Sequence, residues 1–526
     1  MRDFQIPGRS MVIADNGMAA TSHPLASKVA VQILEQGGNA VDAAISAAVL
    51  LGICEPQMTG LGGDCFVLVK PAGEERVIGL NGSGRAPAAL DAGALRAKAA
   101  VIDEGSADAV TIPGAVDAFV TLAKDWGRLG LKTCLAPAIH YAEQGVPVAP
   151  RVAFDWAEAA DSLQGTARED FLLAGKAPMA GQVFRAPKQA EALREIALEG
   201  RAGFYEGAVA EDMVGALRAA GGCHTLEDFA EQRCEYVEPI TGTYKGHELI
   251  EMPPNGQGAV AILLANMLAE FDIASMDPFG VERTHIEAEA VKLAYDARNR
   301  FISDPSEAGK YLDHMLSTET ARKLAALIDM ERAMDGPGKL AEAVHKDTIY
   351  LTVVDRDRMA VSLIYSIFHS FGSGLSSDKY GILFQNRGAG FTLTEGHPNE
   401  AGPGKRPMHT IIPAMLKKNG RIMLPFGVMG GQYQAAGHGR FLTNIVDFGM
   451  NPQAAIDGPR AFPHDGVLDL ERGYSEAVGQ GLAAKGHKLA TPETAIGGAQ
   501  AILIDEEGGL LWGASDPRKD GAALGY

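Results

Sequence analysis

The chain has 526 residues, of which 46% are hydrophobic and 21% charged, and this balance is typical of a globular protein rather than a disordered or fibrous one. Its formal net charge of −19 makes it a poor candidate for binding nucleic acid or an anionic membrane surface, because both carry the same sign of charge. If its substrate is an anion, local arginine or lysine side chains must overcome this overall charge.

The cysteines and the amino-terminal segment indicate a protein of a reducing compartment. The cysteines show no CxxC or CxxH spacing, which favours free thiols over a disulfide framework or a zinc site; they are Cys54, Cys65, Cys134, Cys223 and Cys234. Residues 1–17 contain no long apolar run, so we expect no signal peptide. The longest apolar stretch, residues 43–54, is too short to cross a bilayer. We therefore expect a cytoplasmic protein without a membrane partner.

Two packed helices are predicted near the amino terminus, over residues 22–52. Ser22 is a start signal for the first helix, the pair Gly37-Gly38 ends it, and Asn39 starts a second, alanine-rich helix. The glycine-rich segment 60–63 then leads into an apolar run typical of a buried strand. Because this segment precedes a strand instead of joining a strand to a helix, it is a poor candidate for a phosphate loop.

The middle of the chain, residues 100–345, is predicted to be largely helical. The polar segment 334–346 at its end contains glycine and proline, which predicts an exposed connection. After that connection the pattern becomes β-prone.

A first hairpin is predicted directly after Thr348. Two β-prone runs, residues 349–354 and 360–365, flank a turn segment. If the last residue of the first run pairs with the first residue of the second, Thr348 lies opposite Ser366.

A second hairpin is predicted from residues 411–416, a turn at Asn419-Gly420, and residues 421–426. The second strand continues to Gly430-Gly431, and a helical stretch follows from about Tyr433. Strands in both halves of the chain, flanked by helices, favour stacked sheets that helices cover on both sides.

The bond between Asp347 and Thr348 is a candidate site of self-cleavage, because it joins a polar connection to a strand. Cleavage there would create a threonine whose own α-amine can act as the base for its hydroxyl, since that amine has a reference pKa of about 8. Ser366 would place a second hydroxyl beside it. The glycine pair at residues 430–431 could direct backbone N–H groups at one point, as an oxyanion hole requires. Each of these features alone is also compatible with an ordinary strand or turn.

The chain resembles the γ-glutamyltranspeptidase family of N-terminal-nucleophile hydrolases along nearly its whole length. The matching segments, in order, are GGNAVDAA (37–44), GLGG (60–63), TIPGAVDAF (111–119), AYDARNRFISDP (294–305), DTIYLTVVDRDRMAVSL (347–363), FGSG (371–374), GKRP (404–407), MGG (429–431) and GASDPRKDGAALGY (513–526). The resemblance implies an α/β (α+β) fold, a four-layer αββα sandwich. It also implies a proenzyme that cleaves into a large subunit, residues 1–347, and a small subunit, residues 348–526, which together form a heterodimer or a dimer of heterodimers.

The same resemblance implies roles for individual residues. Thr348 corresponds to the nucleophile, and Gly430 and Gly431 correspond to the oxyanion hole. Ser366 takes the place of the family's second threonine and keeps a hydroxyl there. No metal or cofactor is implied.

The residues that read the γ-glutamyl group in the family are altered here. Ser83 stands at the position of the usual arginine, with Arg85 two residues further on, and Phe368 replaces an asparagine. In the segment FQNRGAGF, residues 384–391, Arg387 and Gly390 stand where the family has groups that hold the substrate's α-amine, and His409-Thr410 replaces a serine pair.

These changes favour a substrate with a carboxylate but no α-amine on its acyl side. A buried ammonium without its acceptors would be costly, whereas an arginine can hold a carboxylate through two hydrogen bonds. Arg387, His409, Thr410 and Arg85 are therefore candidate substrate-binding residues, although each arginine could instead be structural. The resulting hypothesis is an amidohydrolase of small anionic amides, similar to the oxamate-amidohydrolase-like branch of the family. Hydrolysis or transfer of γ-glutamyl compounds is one alternative, and an uncleaved homologue that only binds a ligand is another.

Overall fold

The computed structural model describes Gln5, residues 8–335 and residues 348–526. Asp347 and most of the predicted connection before it lie outside the described residues. Within the described ranges the strands, numbered in chain order, are β1 (Val12–Ala14), β2 (Met18–Thr21), β3 (Asp64–Lys70), β4 (Ile78–Gly82), β5 (Val146–Pro147), β6 (Val183–Phe184), β7 (Glu235–Val237), β8 (Ile240–Tyr244), β9 (His247–Glu251), β10 (Ile349–Val354), β11 (Ala360–Ser366), β12 (Ala414–Lys418), β13 (Arg421–Met429), β14 (Ala461–His464), β15 (Val467–Leu470), β16 (Leu489–Ala490), β17 (Gly498–Asp505), β18 (Leu510–Ser515) and β19 (Ala522–Gly525).

The α-helices of the same ranges lie mainly before Thr348. They are α1 (Pro24–Glu35), α2 (Ala40–Cys54), α3 (Ala92–Lys98), α4 (Ala115–Asp125), α5 (Leu131–Gln144), α6 (Pro150–Ala159), α7 (Gly165–Phe171), α8 (Pro187–Glu199), α9 (Ala202–Tyr205), α10 (Gly207–Ala219), α11 (Leu226–Glu231), α12 (Gly258–Leu268), α13 (Val281–Phe301), α14 (Pro305–Ala308), α15 (Leu312–Leu316), α16 (Thr318–Ala325), α17 (Gln434–Val446), α18 (Pro452–Asp457) and α19 (Glu476–Ala484).

Two seven-stranded antiparallel sheets form the centre of the fold. One has the strand order β1-β18-β17-β13-β12-β9-β8, and the other has the order β19-β2-β10-β11-β3-β4-β7. Each sheet combines strands from before and after Thr348, so the two predicted subunits share both sheets. The segment that begins at Thr348 is therefore held on both sides by strands of the other segment: β10 pairs with β2, and β11 pairs with β3.

Three apolar layers hold these sheets and their helices together. Between the sheets lies a core that includes Phe66, Ile250, Tyr350, Met415 and Ile502. Helices such as α1, α2 and α4 cover the outer face of the sheet that contains β10, and α12, α17 and α18 cover the outer face of the other. The order of layers is helix, sheet, sheet, helix, which confirms the predicted four-layer αββα sandwich.

The predicted first hairpin is confirmed in extent and register. Strand β10 pairs with β11 so that Val354 lies opposite Ala360 and Ile349 opposite Tyr365. The two predicted amino-terminal helices are present as α1 and α2, and the side chain of Asn39 caps α2 as expected. All residues of α2 are buried, in agreement with its alanine-rich sequence.

Two predictions about the middle and the second hairpin were incomplete. The segment predicted as largely helical also contributes β7, β8 and β9 to the main sheets. β7 and β8 are edge strands, and β9 lies between β8 and β12. The second hairpin turns at Asn419-Gly420 as expected, with both residues at positive φ, but β12 begins at Ala414 rather than at residue 411. Pro413 has no N–H, and the Ile412 N–H donates to Gln434 Oε1 at 2.9 Å, so neither extends the strand ladder.

In the described ranges, every helix is too short or too polar to traverse a lipid bilayer.

Candidate active site

Thr348 and Ser366 form a buried hydroxyl pair at the ends of β10 and β11. Thr348 directly precedes β10, and Ser366 is the last residue of β11. Their hydroxyl oxygens lie 3.2 Å apart, and both residues are almost fully buried. The Ser366 oxygen also accepts the backbone N–H of Phe368 at 2.9 Å. The pairing predicted from the hairpin register therefore brings these two hydroxyls together.

Arg387 lies beside this hydroxyl pair and is fully buried. Its guanidinium donates to Ser366 Oγ at 3.4 Å and to Thr410 Oγ1 at 3.0 Å. The ring of Phe368 packs over the guanidinium, with its centroid 4.0 Å from Cζ. A charged group that stacks on an aromatic ring and donates to two hydroxyls is held in one orientation. The structure thus brings the predicted residues Thr348, Ser366, Arg387 and Thr410 into one cluster, hereafter the Thr348 cluster.

Phe368 has a backbone conformation that few side chains adopt. Its φ of 78° lies in the left-handed region, two residues after β11 ends. This turn lets its N–H reach back to Ser366 while its ring covers Arg387. The aromatic residue that replaces the family's asparagine therefore has a defined place over the guanidinium.

His409 contacts the Thr348 cluster through its neighbours rather than through its own ring. Its Nε2 lies 3.0 Å from Asp64 Oδ2, and both side chains are fully buried. Burial, together with the positive charge of Arg387, lowers the pKa of His409 to about 3, and the Asp64 carboxylate only partly opposes this shift. The imidazole is therefore neutral at ordinary pH. Since a carboxylate can only accept, the ring proton is on Nε2 and donates to Asp64.

Asp64 was not among the candidate residues proposed from the sequence. A signal was present: a charged residue stands between the glycine-rich segment 60–63 and an otherwise apolar strand. The contact that links Asp64 to the site, however, is with His409, which lies 345 positions away in the sequence.

The glycine pair that was predicted as an oxyanion hole forms the turn between β13 and α17. Gly430 and Gly431 have φ values of 125° and 54°, both unfavourable for other residues. A Cβ on Gly430 would lie 2.7 Å from the Cα of Gly497, so the turn also has no room for a side chain. The amide of Gln257 donates to the carbonyls of Thr410 at 2.6 Å and Gly431 at 3.4 Å, which ties this turn to the Thr348 cluster. The role of the Gly430-Gly431 turn in binding an oxyanion stays a prediction.

The structure places Arg85 apart from the other predicted site residues. Its guanidinium donates to Glu235 at 2.7 Å and to the Gly404 carbonyl at 3.1 Å, and 37% of its side chain is exposed. Glu235 also accepts from the buried Arg406 of the GKRP segment at 2.9 Å. Arg85 therefore belongs to an arginine–glutamate scaffold, and none of its contacts among the described residues reaches the Thr348 cluster.

One group of side chains in the described part of the chain has metal-ligand chemistry, and it lies elsewhere. The ligand atoms of His285, Glu289 and His487 are within 4.8 Å of one another. The two imidazoles already share a hydrogen bond of 2.8 Å, and Glu289 accepts from the Lys292 ammonium at 2.6 Å. The Lys292 ammonium would repel a metal cation. The hydrogen bonds among these side chains instead make them a hydrogen-bonded cluster. It borders a cavity of about 200 Å³ whose lining includes Lys292 and His487 but none of the predicted site residues.

Comparison with known proteins identifies similar chains along nearly the full length. Residues 26–526 match the γ-glutamyltranspeptidase family. The chain is 36% identical to the glutathione hydrolase-like YwrD proenzyme of Bacillus subtilis (98% of this chain, 99% of the relative). It is 35% identical to the oxamate amidohydrolase proenzyme of Klebsiella pneumoniae over the same shares of both chains. Its structure is similar to that of a cephalosporin acylase from Bacillus halodurans, with a TM-score of 0.93, 39% identity, and coverage of 100% of this chain and 99% of the other.

Proposed function

The chain belongs to the γ-glutamyltranspeptidase family of hydrolase and transferase enzymes, and from this premise we propose that it is a self-processing amidohydrolase of small amides whose acyl group is anionic. The observation that carries the proposal is the Thr348–Ser366 hydroxyl pair, with its 3.2 Å separation and the buried Arg387 guanidinium beside it. Two similar proteins, the proenzymes from B. subtilis and K. pneumoniae, support the self-processing step.

Maturation begins when the Thr348 hydroxyl attacks the carbonyl carbon of Asp347. The C–N bond breaks as the ester forms, and water then hydrolyses that ester to a carboxylate, which leaves Thr348 with a free α-amine. The products are the segments 1–347 and 348–526, which stay together because they share both sheets.

In the mature enzyme the α-amine of Thr348 takes the proton of its own hydroxyl as the oxygen attacks the substrate amide. The tetrahedral oxyanion is stabilised by backbone N–H groups of the Gly430-Gly431 turn. Collapse breaks the C–N bond, and the leaving nitrogen receives the proton. Water then releases the acyl group from Thr348 by the same sequence of steps.

Ser366 assists by orienting the nucleophile oxygen. The Thr348 hydroxyl donates to Ser366 Oγ at 3.2 Å, which sets the direction of the hydroxyl before it attacks. The Phe368 backbone N–H and the Arg387 guanidinium also donate to Ser366 Oγ, so this acceptor is held in place.

Arg387 supports the anionic substrate class. The net charge of −19 would repel an anionic substrate. The buried guanidinium next to the nucleophile provides the local positive charge that attracts one. The name of the oxamate amidohydrolase proenzyme is in keeping with such a substrate. The name of the glutathione hydrolase-like proenzyme favours a second candidate, the hydrolysis of γ-glutamyl compounds.

The first test is the intact mass of the purified chain under denaturing conditions, for the wild type and for Thr348→Ala. We expect the wild type to split before Thr348 and the variant to stay intact and inactive, while Thr348→Ser should still split because it keeps a hydroxyl. Thr352→Ala is the matched control, since Thr352 is a buried threonine within β10, the strand that Thr348 precedes, and it donates to the Val361 carbonyl. Cleavage that persists in Thr348→Ala would refute the mechanism.

The second test separates the two candidate substrates. Oxamate, its neutral analogue oxamide, and γ-glutamyl-p-nitroanilide are offered to the matured enzyme. We expect the enzyme to prefer oxamate. A preference for the γ-glutamyl compound would instead support hydrolysis of γ-glutamyl compounds as its function.

A further inference from the structure

Asp64 is a carboxylate in a place where an unpaired charge would be very costly. It opens β3, lies opposite Ser366 in the sheet register, and is fully buried. A buried carboxylate is tolerated only when hydrogen-bond donors or positive charge compensate it. Asp64 therefore needs several donors around it.

These donors come from four segments that meet at the end of the strand. Oδ1 accepts the backbone N–H of Gly84 at 2.9 Å, the N–H of Gly114 at 3.2 Å and the amide of Gln385 at 2.8 Å, while Oδ2 accepts from His409. Side chains could not replace the two glycines, since a Cβ would lie 1.6 Å from the Ile112 carbonyl oxygen at Gly84 and 2.4 Å from the Gly82 carbonyl oxygen at Gly114. The backbone is thus built to approach this carboxylate closely.

The two side chains that Asp64 holds flank the parts of the Thr348 cluster. Gln385 stands two residues before Arg387, and His409 immediately precedes Thr410, which accepts from the same guanidinium. One carboxylate therefore fixes two segments, the one that carries Arg387 and the one whose Thr410 accepts from it.

We infer that Asp64 is the positioning residue that holds Arg387 against Thr348, by fixing the segments of Gln385 and His409 around the guanidinium. The inference rests on the proposed function, since it assigns Asp64 a task at the same site. Asp64 accepts from Gly84, Gly114, Gln385 and His409, so it acts on Arg387 through the segments that surround the guanidinium. Arg387 thereby keeps the orientation in which it donates to Ser366 and Thr410.

The test compares Asp64→Asn with Asp42→Asn. Asp42 is an equally buried carboxylate that accepts the backbone N–H groups of Asn39, Arg128 and Leu129, and it has no part in the Thr348 cluster. Both variants lose the charge and some acceptor capacity, so both should lower the melting temperature. The distinguishing readout is the ratio of kcat/KM for oxamate to that for oxamide, because a general structural defect moves both substrates together.

We expect Asp64→Asn to reduce this ratio about 10- to 100-fold, mainly through KM for oxamate, and Asp42→Asn to leave it unchanged. An unchanged ratio in Asp64→Asn would overturn the inference. If Asp64→Asn does not mature, the half-time of cleavage before Thr348 replaces the ratio. Slowing of about tenfold or more relative to Asp42→Asn supports the inference, and equal rates overturn it.

A second pair of variants guards against misfolding of Asp64→Asn. In His409→Gln the amide nitrogen can still donate to Asp64, whereas His409→Leu removes the donor. The inference expects His409→Gln to keep a higher oxamate-to-oxamide ratio, or faster cleavage, than His409→Leu. Equal behaviour of the two would overturn it. A wild-type chain that never splits before Thr348 would instead refute the proposed function, so the two failures are distinguishable.

Discussion

Arg387 and Arg85 are both arginines that the sequence marked as candidate substrate-binding residues, yet the structure gives them different surroundings. Arg387 is fully buried among hydroxyls and an aromatic ring, whereas Arg85 is partly exposed and paired with Glu235. A guanidinium paired with a carboxylate, as Arg85 is with Glu235, offers less to an anionic substrate than a buried guanidinium whose hydrogen bonds include the hydroxyls of Ser366 and Thr410. The surroundings of an arginine, more than its position in a motif, thus decide which anion it serves.

The largest effect expected from this contrast is that of Arg387→Ala. If Arg387 contacts a substrate carboxylate, KM for oxamate should rise by the equivalent of about 2–3 kcal/mol, or roughly 30- to 150-fold. Steady-state kinetics on matured enzyme would measure the change, with intact mass as the check on maturation. Arg387→Lys keeps the charge but not the paired N–H donors of the guanidinium, so its KM for oxamate should lie between those of Arg387→Ala and the wild type. An unaltered KM in Arg387→Ala would make Arg387 a structural residue like Arg85.

The sequence predicts one half of the site well because local geometry determines it. In an antiparallel hairpin the turn sets the register, so the pairing of the two β-prone runs already implies that Thr348 and Ser366 are neighbours. The strand-turn-helix order around Gly430 likewise follows from local sequence.

The other half depends on contacts between distant parts of the chain. Asp64 and His409 are 345 residues apart, and no local pattern links them. The sequence also could not show the surroundings of Arg85 and Arg387, because burial and the partner of each guanidinium are tertiary properties. The strands β7 to β9 were missed for a similar reason. They are short strands at or next to a sheet edge, and they are stabilised by pairing within sheets whose central strands lie elsewhere in the chain.

Arg406→Ala tests whether the arginine–glutamate scaffold contributes to stability rather than to substrate binding. Arg406 is buried and donates to Glu235, to the Ser83 carbonyl and to the Arg233 carbonyl. Its removal takes a charged donor from the carbonyls of Ser83 and Arg233 and leaves Glu235 with Arg85 as its partner, so we expect a loss of about 2 kcal/mol of stability. Thermal melting would show the loss, while KM for oxamate in the folded fraction should stay near the wild-type value. A selective rise in KM would extend the substrate site into the scaffold.

A pH-dependent prediction concerns His409. Its pKa is lowered to about 3 by burial and by the charge of Arg387, whereas in an unfolded chain the imidazole titrates near 6.5. Between these values the unfolded state binds the extra proton, so the stability that the neutral buried imidazole contributes is present above about pH 6.5 and is lost as pH falls toward 3.

His409→Gln removes this titration, since an amide binds no proton in that range. The fall in melting temperature from pH 7 to pH 5 should therefore be smaller in His409→Gln than in the wild type. His140→Gln, at an exposed histidine, serves as the control and should follow the wild type. Identical slopes in all three proteins would mean that His409 is not held neutral by the fold.

The smallest expected effect is that of Arg85→Ala. An exposed pair between an arginine and a glutamate contributes about 0–1 kcal/mol, because water solvates both groups when the contact is lost. Glu235 would still have Arg406 as a partner, so the scaffold should persist and the melting temperature should change little. KM for oxamate should stay within about threefold of the wild type, since a threefold change corresponds to less than 1 kcal/mol. A rise as large as that expected for Arg387→Ala would mean that Arg85 leaves Glu235 when substrate binds, and the distinction between the two arginines would then hold only for the unliganded chain.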